Sequence, residues 1–164
     1  MKLFTEQAQL VAGFVPVNLA TAANSGDYVS LKNYRHVAIV FFKGEGTAGD
    51  DPTLTVQQAS AVAGTGAKAL NFTTVYTKQG ADLAAVGGFT KVTQTAGNTY
   101  TDATSAEVQA IWVVEFNAED LDSEGGFDCV TASVADVGTN AQIGALLYIL
   151  SEPRFTPPPS AIVN

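Results

Sequence analysis

What most constrains this chain is how regularly its apolar runs are broken. Segments rich in Val, Ile, Phe, Tyr and Thr recur between clusters of Gly, Asn, Asp and Pro, which favours many short strands over a few helices. Residues 36–43 are almost continuously apolar from Val37 to Phe42, as expected for a strand covered on both sides or lying in the centre of a sandwich. The breaker-rich stretch 44–52 that follows reads as an exposed loop. Residues 53–60 and 71–78 alternate. In the second of these Phe72, Thr74 and Tyr76 would share one face, against Thr73, Val75 and Thr77 on the other. Between them, 61–68 is a small-residue loop. Residues 89–95 read as an edge strand, with Lys91 discouraging stray pairing. In 107–116 the alternation puts Val108, Ala110, Trp112, Val114 and Phe116 on one face, so the sole tryptophan should anchor the core. Residues 127–134 and 142–150 supply two further strands. Helix is expected at most as a weakly amphipathic set over 3–12 and one turn at 118–121. Seven to nine strands at this spacing predict an all-β fold, an antiparallel β-sandwich or jelly-roll-like barrel with extended terminal arms.

A chain of 164 residues suits one domain. The domain is expected over 1–152, including an N-terminal arm, followed by a Pro-rich extended arm over 153–164, where Pro157, Pro158 and Pro159 favour a polyproline conformation. Charged residues make up only 15% of the chain, against roughly 25% in an ordinary soluble domain, so the surface must be largely neutral and suited to protein contact. Sixteen acids against eight Lys and Arg leave a formal charge of -8, which opposes nucleic acid and anionic membranes as partners. Cys129 is the single cysteine, so neither an internal disulfide nor a Cys-rich zinc framework is open to the chain. Glu6, Gln7 and Gln9 interrupt the apolar stretch that a signal peptide needs, which predicts synthesis and folding in a cytoplasm.

The chemistry-bearing residues are few. A hydrolytic triad would have to use His36, the one histidine, and the chain has no Gly-x-Ser-x-Gly elbow. Cys129 follows Asp128, an anionic neighbour that disfavours a reactive thiolate. The glycines at 44–49 and 64–66 lack the Gly-Lys-Ser/Thr ending of a phosphate loop. Glu119, Asp120, Asp122, Glu124 and Asp128 could suit a calcium ion, but their spacing departs from an EF-hand and a solvated acidic turn accounts for them better. Tyr28, Tyr34, Tyr76 and Tyr100 are the aromatic platforms left for a carbohydrate-binding module. No catalytic, metal or cofactor residue is assigned.

The stretches Ser25-Gly26-Asp27-Tyr28-Val29-Ser30-Leu31-Lys32-Asn33-Tyr34, Val37 to Phe42 and Asp51-Pro52-Thr53-Leu54-Thr55-Val56-Gln57-Gln58-Ala59 resemble small virion structural proteins of tailed bacteriophages. So do Ala118-Glu119-Asp120-Leu121-Asp122, Phe127-Asp128-Cys129-Val130 and Ser151-Glu152-Pro153-Arg154, so the likeness spans about 25–155. Within that group the chain is most similar to a head decoration, or cement, protein. The resemblance implies a small β-rich protein on the outside of the capsid, non-enzymatic and without a cofactor, that stabilises the expanded head. Its partners would be the major capsid protein and further copies of itself, in trimers in preference to dimers. A tail, neck or baseplate component and a carbohydrate-binding sandwich are the alternatives. The shell contact is expected on Lys32, Tyr34 and Arg35 and on the terminal arm, through Arg154, Phe155, Pro157, Pro158, Pro159, Ile162 and Val163. Cations, aromatics and pre-ordered prolines bind with little ordering entropy.

Overall fold

A computed structural model describes residues 3–155 and 157–162. Eight strands carry six residues or more: β1 (Ala8–Asn18), β4 (Tyr34–Lys43), β5 (Thr53–Ala59), β7 (Phe72–Gly80), β8 (Thr90–Gly97), β10 (Gln109–Asn117), β11 (Cys129–Val134) and β12 (Ile143–Pro153). Short pieces fill the gaps, namely β2 (Asn24–Ser25), β3 (Val29–Ser30), β6 (Lys68–Ala69) and β9 (Thr99–Thr101). All pairings are antiparallel, in two sheets that pack as a sandwich. One sheet has the order β1-β12-β4-β10-β7-β8; the other runs β2-β11-β5-β6, with β3 on β11 and β9 on β5.

The two most apolar segments, β4 and β12, pair with each other near the middle of the six-stranded sheet. Their inward residues Val37, Ile39, Phe41, Leu146, Tyr148 and Leu150 are buried. Trp112 on β10 is fully buried and packs between Phe41, at 5.4 Å between ring centroids, and Tyr100, at 4.8 Å edge-on. From the facing sheet come Leu54, Val56, Val130, Ala132 and Val134. Burying about a dozen such side chains at ~1.5–3 kcal/mol each is what a chain without disulfides has to stabilise it. Of the segment 89–95, all but Phe89 lies in β8, an edge strand with Lys91 exposed.

Two local expectations fail. The residues read as weakly helical form one 3₁₀ turn, Phe4–Glu6, and then β1. An eleven-residue partner in β12 lets Val11, Phe14 and Val17 pack on the core, with register shifts on either side of Phe14, so long-range pairing overrides a weak helical pattern. In β7 the register shifts between Phe72 and Thr74, so Phe72 turns inward with Val75 and Thr77, while Thr74 and Tyr76 face outward. The turn expected at 118–121 is a 3₁₀ turn, Ala118–Asp120.

Candidate contact surface

The residues chosen from sequence as contacts meet different fates. Lys32 and Arg35 are exposed. Arg35 and Arg154 come together, lining one open cleft at the end of the sandwich with Asn117, Ala118, Glu119 and Glu152. Tyr34 is a correction: its side chain is fully buried, its hydroxyl donates to the Pro159 carbonyl, and burial raises its pKa. Tyr34 is therefore part of the core and no surface contact. Lys43, at the far end of β4, is also buried.

The terminal arm lies on its own body. The Arg154 amide donates to the Asn33 carbonyl at 2.8 Å and the Ser30 amide to Ala161 at 2.7 Å, while Ala161 is buried among the core residues. Between these clips Pro157 is exposed and Pro158 and Pro159 are half-buried. Phe155 and Ile162 remain exposed; Val163 lies outside the described residues. Glu152, at the root of this strap, has φ 54, a left-handed conformation that a side chain makes costly. Glu152→Gly is expected to raise stability by up to about 1 kcal/mol, read as a higher urea midpoint at unchanged slope.

Sequence reasoning missed the outer face of the six-stranded sheet. Side chains that alternate with the buried set form rows across the strands, fixed by the register. The middle row runs Ala12, Leu147, Val40, Val113, Tyr76. On one side of it lies the row Ala145, Phe42, Ile111, Lys78, with Ile143 beyond. On the other lies Leu10, Ile149, Ala38, Glu115, with Ala38 recessed among its larger neighbours at 8% exposed. Leu10, Phe42 and Ile143 are each about half exposed (51%, 50% and 52%) and Leu147 is 39% exposed. The Lys78 ammonium sits 4.9 Å from the centre of the Phe89 ring at the β8 side. A strand apolar on both faces normally means two covering layers; here the described residues supply one.

The face ends in a polar rim. His36 Nδ1 is 2.9 Å from Ser151 Oγ, and Nε2 is 3.6 Å from Glu115 Oε1. The grouping has the residue types of a triad, but β4 and β12 are paired on both sides, so their amides serve the ladders and offer no oxyanion-binding pair. No protein-family model, curated protein or solved structure matches this chain.

The acidic loop is tied to the protein itself. The Asp122 carboxylate pairs with Lys68 and accepts from the Gly125 amide at 3.0 Å, and these bonds hold it below the usual carboxylate range. The Lys68 ammonium also lies 4.0 Å from the centre of the Phe127 ring. Among the described residues no group of three or more His, Cys, Asp or Glu is placed to hold a metal ion. Cys129 is buried, and desolvation, then Asp128, pushes its thiol up to about 12, so it is a packing residue with little nucleophilic character. No helix among the described residues is long and apolar enough to cross a membrane.

Proposed function

We propose that this chain is a non-enzymatic bacteriophage capsid decoration protein that binds the outside of the expanded head across capsomer joints and stabilises it. The observation that carries the reading is the broad apolar sheet face left uncovered on a sandwich of low charge density. Contiguous apolar patches of several hundred Å² mark surfaces that work by contact. The sequence resemblance supplies the setting: the virion exterior, the major capsid protein as partner, and synthesis in a host cytoplasm. A protein that binds only the expanded shell stabilises that state by linkage, and many modest contacts add up over a lattice. The acidic body disfavours the packaged nucleic acid.

The cleft holding Arg35 and Arg154 is the shell contact in this reading, with Lys32 beside it in sequence. Purified protein added to expanded heads should appear by electron microscopy as repeated density on the shell. The Arg35→Glu, Arg154→Glu double variant should lower occupancy at least tenfold and flatten its salt dependence. Density confined to a tail or neck ring, or none at all, overturns the assignment. Charge reversal is a cleaner probe than removal of 155–164, which would also strip Ala161 from the core and leave Tyr34 without its acceptor.

A further inference from the structure

We propose that the outer face of the six-stranded sheet is a self-association surface, on which a second copy packs about a two-fold axis running across the strands. The inference rests on reading that face as a contact surface and not on the virion setting. The register carries it. An axis at the level of Leu147, Val40 and Val113 lays each strand antiparallel on its counterpart and exchanges the rows above and below. Phe42 of one copy then meets Ala38 of the other, and Ile149 meets Ala145. Large side chains therefore sit over small ones at both pairs of positions, the condition for two sheet faces to interdigitate. Leu147, Val40 and Val113 meet their own copies.

Charge agrees with the same operator. Glu115 is the one acidic side chain in these rows, and the exchange lays it over Ile111, whose cross-strand neighbour is Lys78. Two Glu115–Lys78 pairs thus form symmetrically at the rim of the contact. Within one copy these residues stand two rows apart, and neither is ion-paired to the other. For a chain carrying -8, a face nearly free of acids is where two copies can approach without strong repulsion. Five strands at about 4.8 Å and some six residues at about 3.3 Å give a footprint near 500 Å² before side-chain relief is counted. Relief brings this toward the roughly 600 Å² per partner at the lower end of specific interfaces. The arrangement is isologous and closes at two copies, in place of the trimer that the resemblance favours. It also directs the two Arg35–Arg154 clefts to opposite ends, where a pair could span two capsid subunits.

Sedimentation equilibrium of the full chain tests this. The wild type should be a dimer at tens of micromolar. Glu115→Lys and Lys78→Glu should each raise the dissociation constant at least tenfold, and the double swap should return it to within about threefold of wild type. Phe42→Glu should give a monomer, with circular dichroism and urea midpoint showing that each variant is folded. A wild type that stays monomeric at 100 µM overturns the proposal, as does a trimer, or a double swap no better than the single variants. Head decoration by a strictly monomeric protein would sink this inference and leave the function standing; a dimer that ignores heads would do the reverse.

Discussion

Gly26→Ala is expected to lower the unfolding free energy by about 3 kcal/mol or more, a large effect for one methyl group. A Cβ at Gly26 would stand 2.3 Å from the Tyr148 hydroxyl and 2.8 Å from the Ala132 carbonyl. Neither can yield cheaply. The Ala132 carbonyl is backbone and accepts from the Gly26 amide at 2.9 Å. Tyr148 is fully buried and crosses from one sheet to the other, where its hydroxyl accepts from the Ala132 amide at 3.1 Å. That amide faces the gap between β2 and β3, where β11 lacks a strand on that side. The Thr131 hydroxyl donates to the Gly26 carbonyl at 2.8 Å and is 3.3 Å from the Tyr148 oxygen, so the phenol donates to it in turn. A side chain at residue 26 therefore breaks several bonds that substitute for missing ladder contacts. Tyr148→Phe should cost about 1–2 kcal/mol, through the orphaned Ala132 amide. The double variant should cost clearly less than the sum, since removing the hydroxyl removes the nearest clash. A Gly26→Ala protein within 0.5 kcal/mol of wild type in urea melts would refute this account.

The fold was legible because the long strands each carry their own signal. The alternation through Trp112 and the apolar runs at 37–42 and 143–150 identify the core, since a two-residue period leaves little choice of which face turns inward. What sequence could not supply was context. The same runs that mark β4 and β12 as central also fill the outer face, and only the topology shows that no second layer among the described residues covers it. The signal was present in Phe42, Leu147 and Ile149, but an apolar run of this kind is equally the mark of a strand covered on both sides. Tyr34 misled in the opposite sense: it looked like a contact residue by type, and it finds its partner 125 residues away in the terminal strap. The short strands β2, β3, β6 and β9 are too brief to carry a periodicity. They exist because β5 and β11 need partners.

Lys43 gives the chain an unusual stability profile in alkali. Its ammonium, fully inside the sandwich, donates to the carbonyls of Ser105 at 2.6 Å and Val108 at 2.7 Å and clamps the loop before β10. Desolvation lowers its pKa to about 8, against the opposing pull of Asp51 and Glu107. Between there and its unfolded value of 10.5 the folded protein binds fewer protons than the unfolded chain, so stability rises with pH across that window, by up to about 1.4 kcal/mol per unit. Cys129 acts the other way. Its folded pKa of about 12 exceeds the unfolded 9.0, so the unfolded chain loses its proton first and stability falls from pH 9 upward. Tyr148, also pushed up to about 12, chiefly by burial, adds to the fall above pH 10. The wild type should gain about 0.6 kcal/mol between pH 8 and 9, where the loss at Cys129 offsets part of the Lys43 gain, hold level to about 10 and then decline. Lys43→Met should lose the rise and decline from pH 9, whereas Cys129→Ala should keep climbing to about 10. Urea titrations at half-unit pH steps read all three curves, and a wild type that weakens steadily from pH 8, with Lys43→Met following the same slope, would show that the Lys43 ammonium is not held as described.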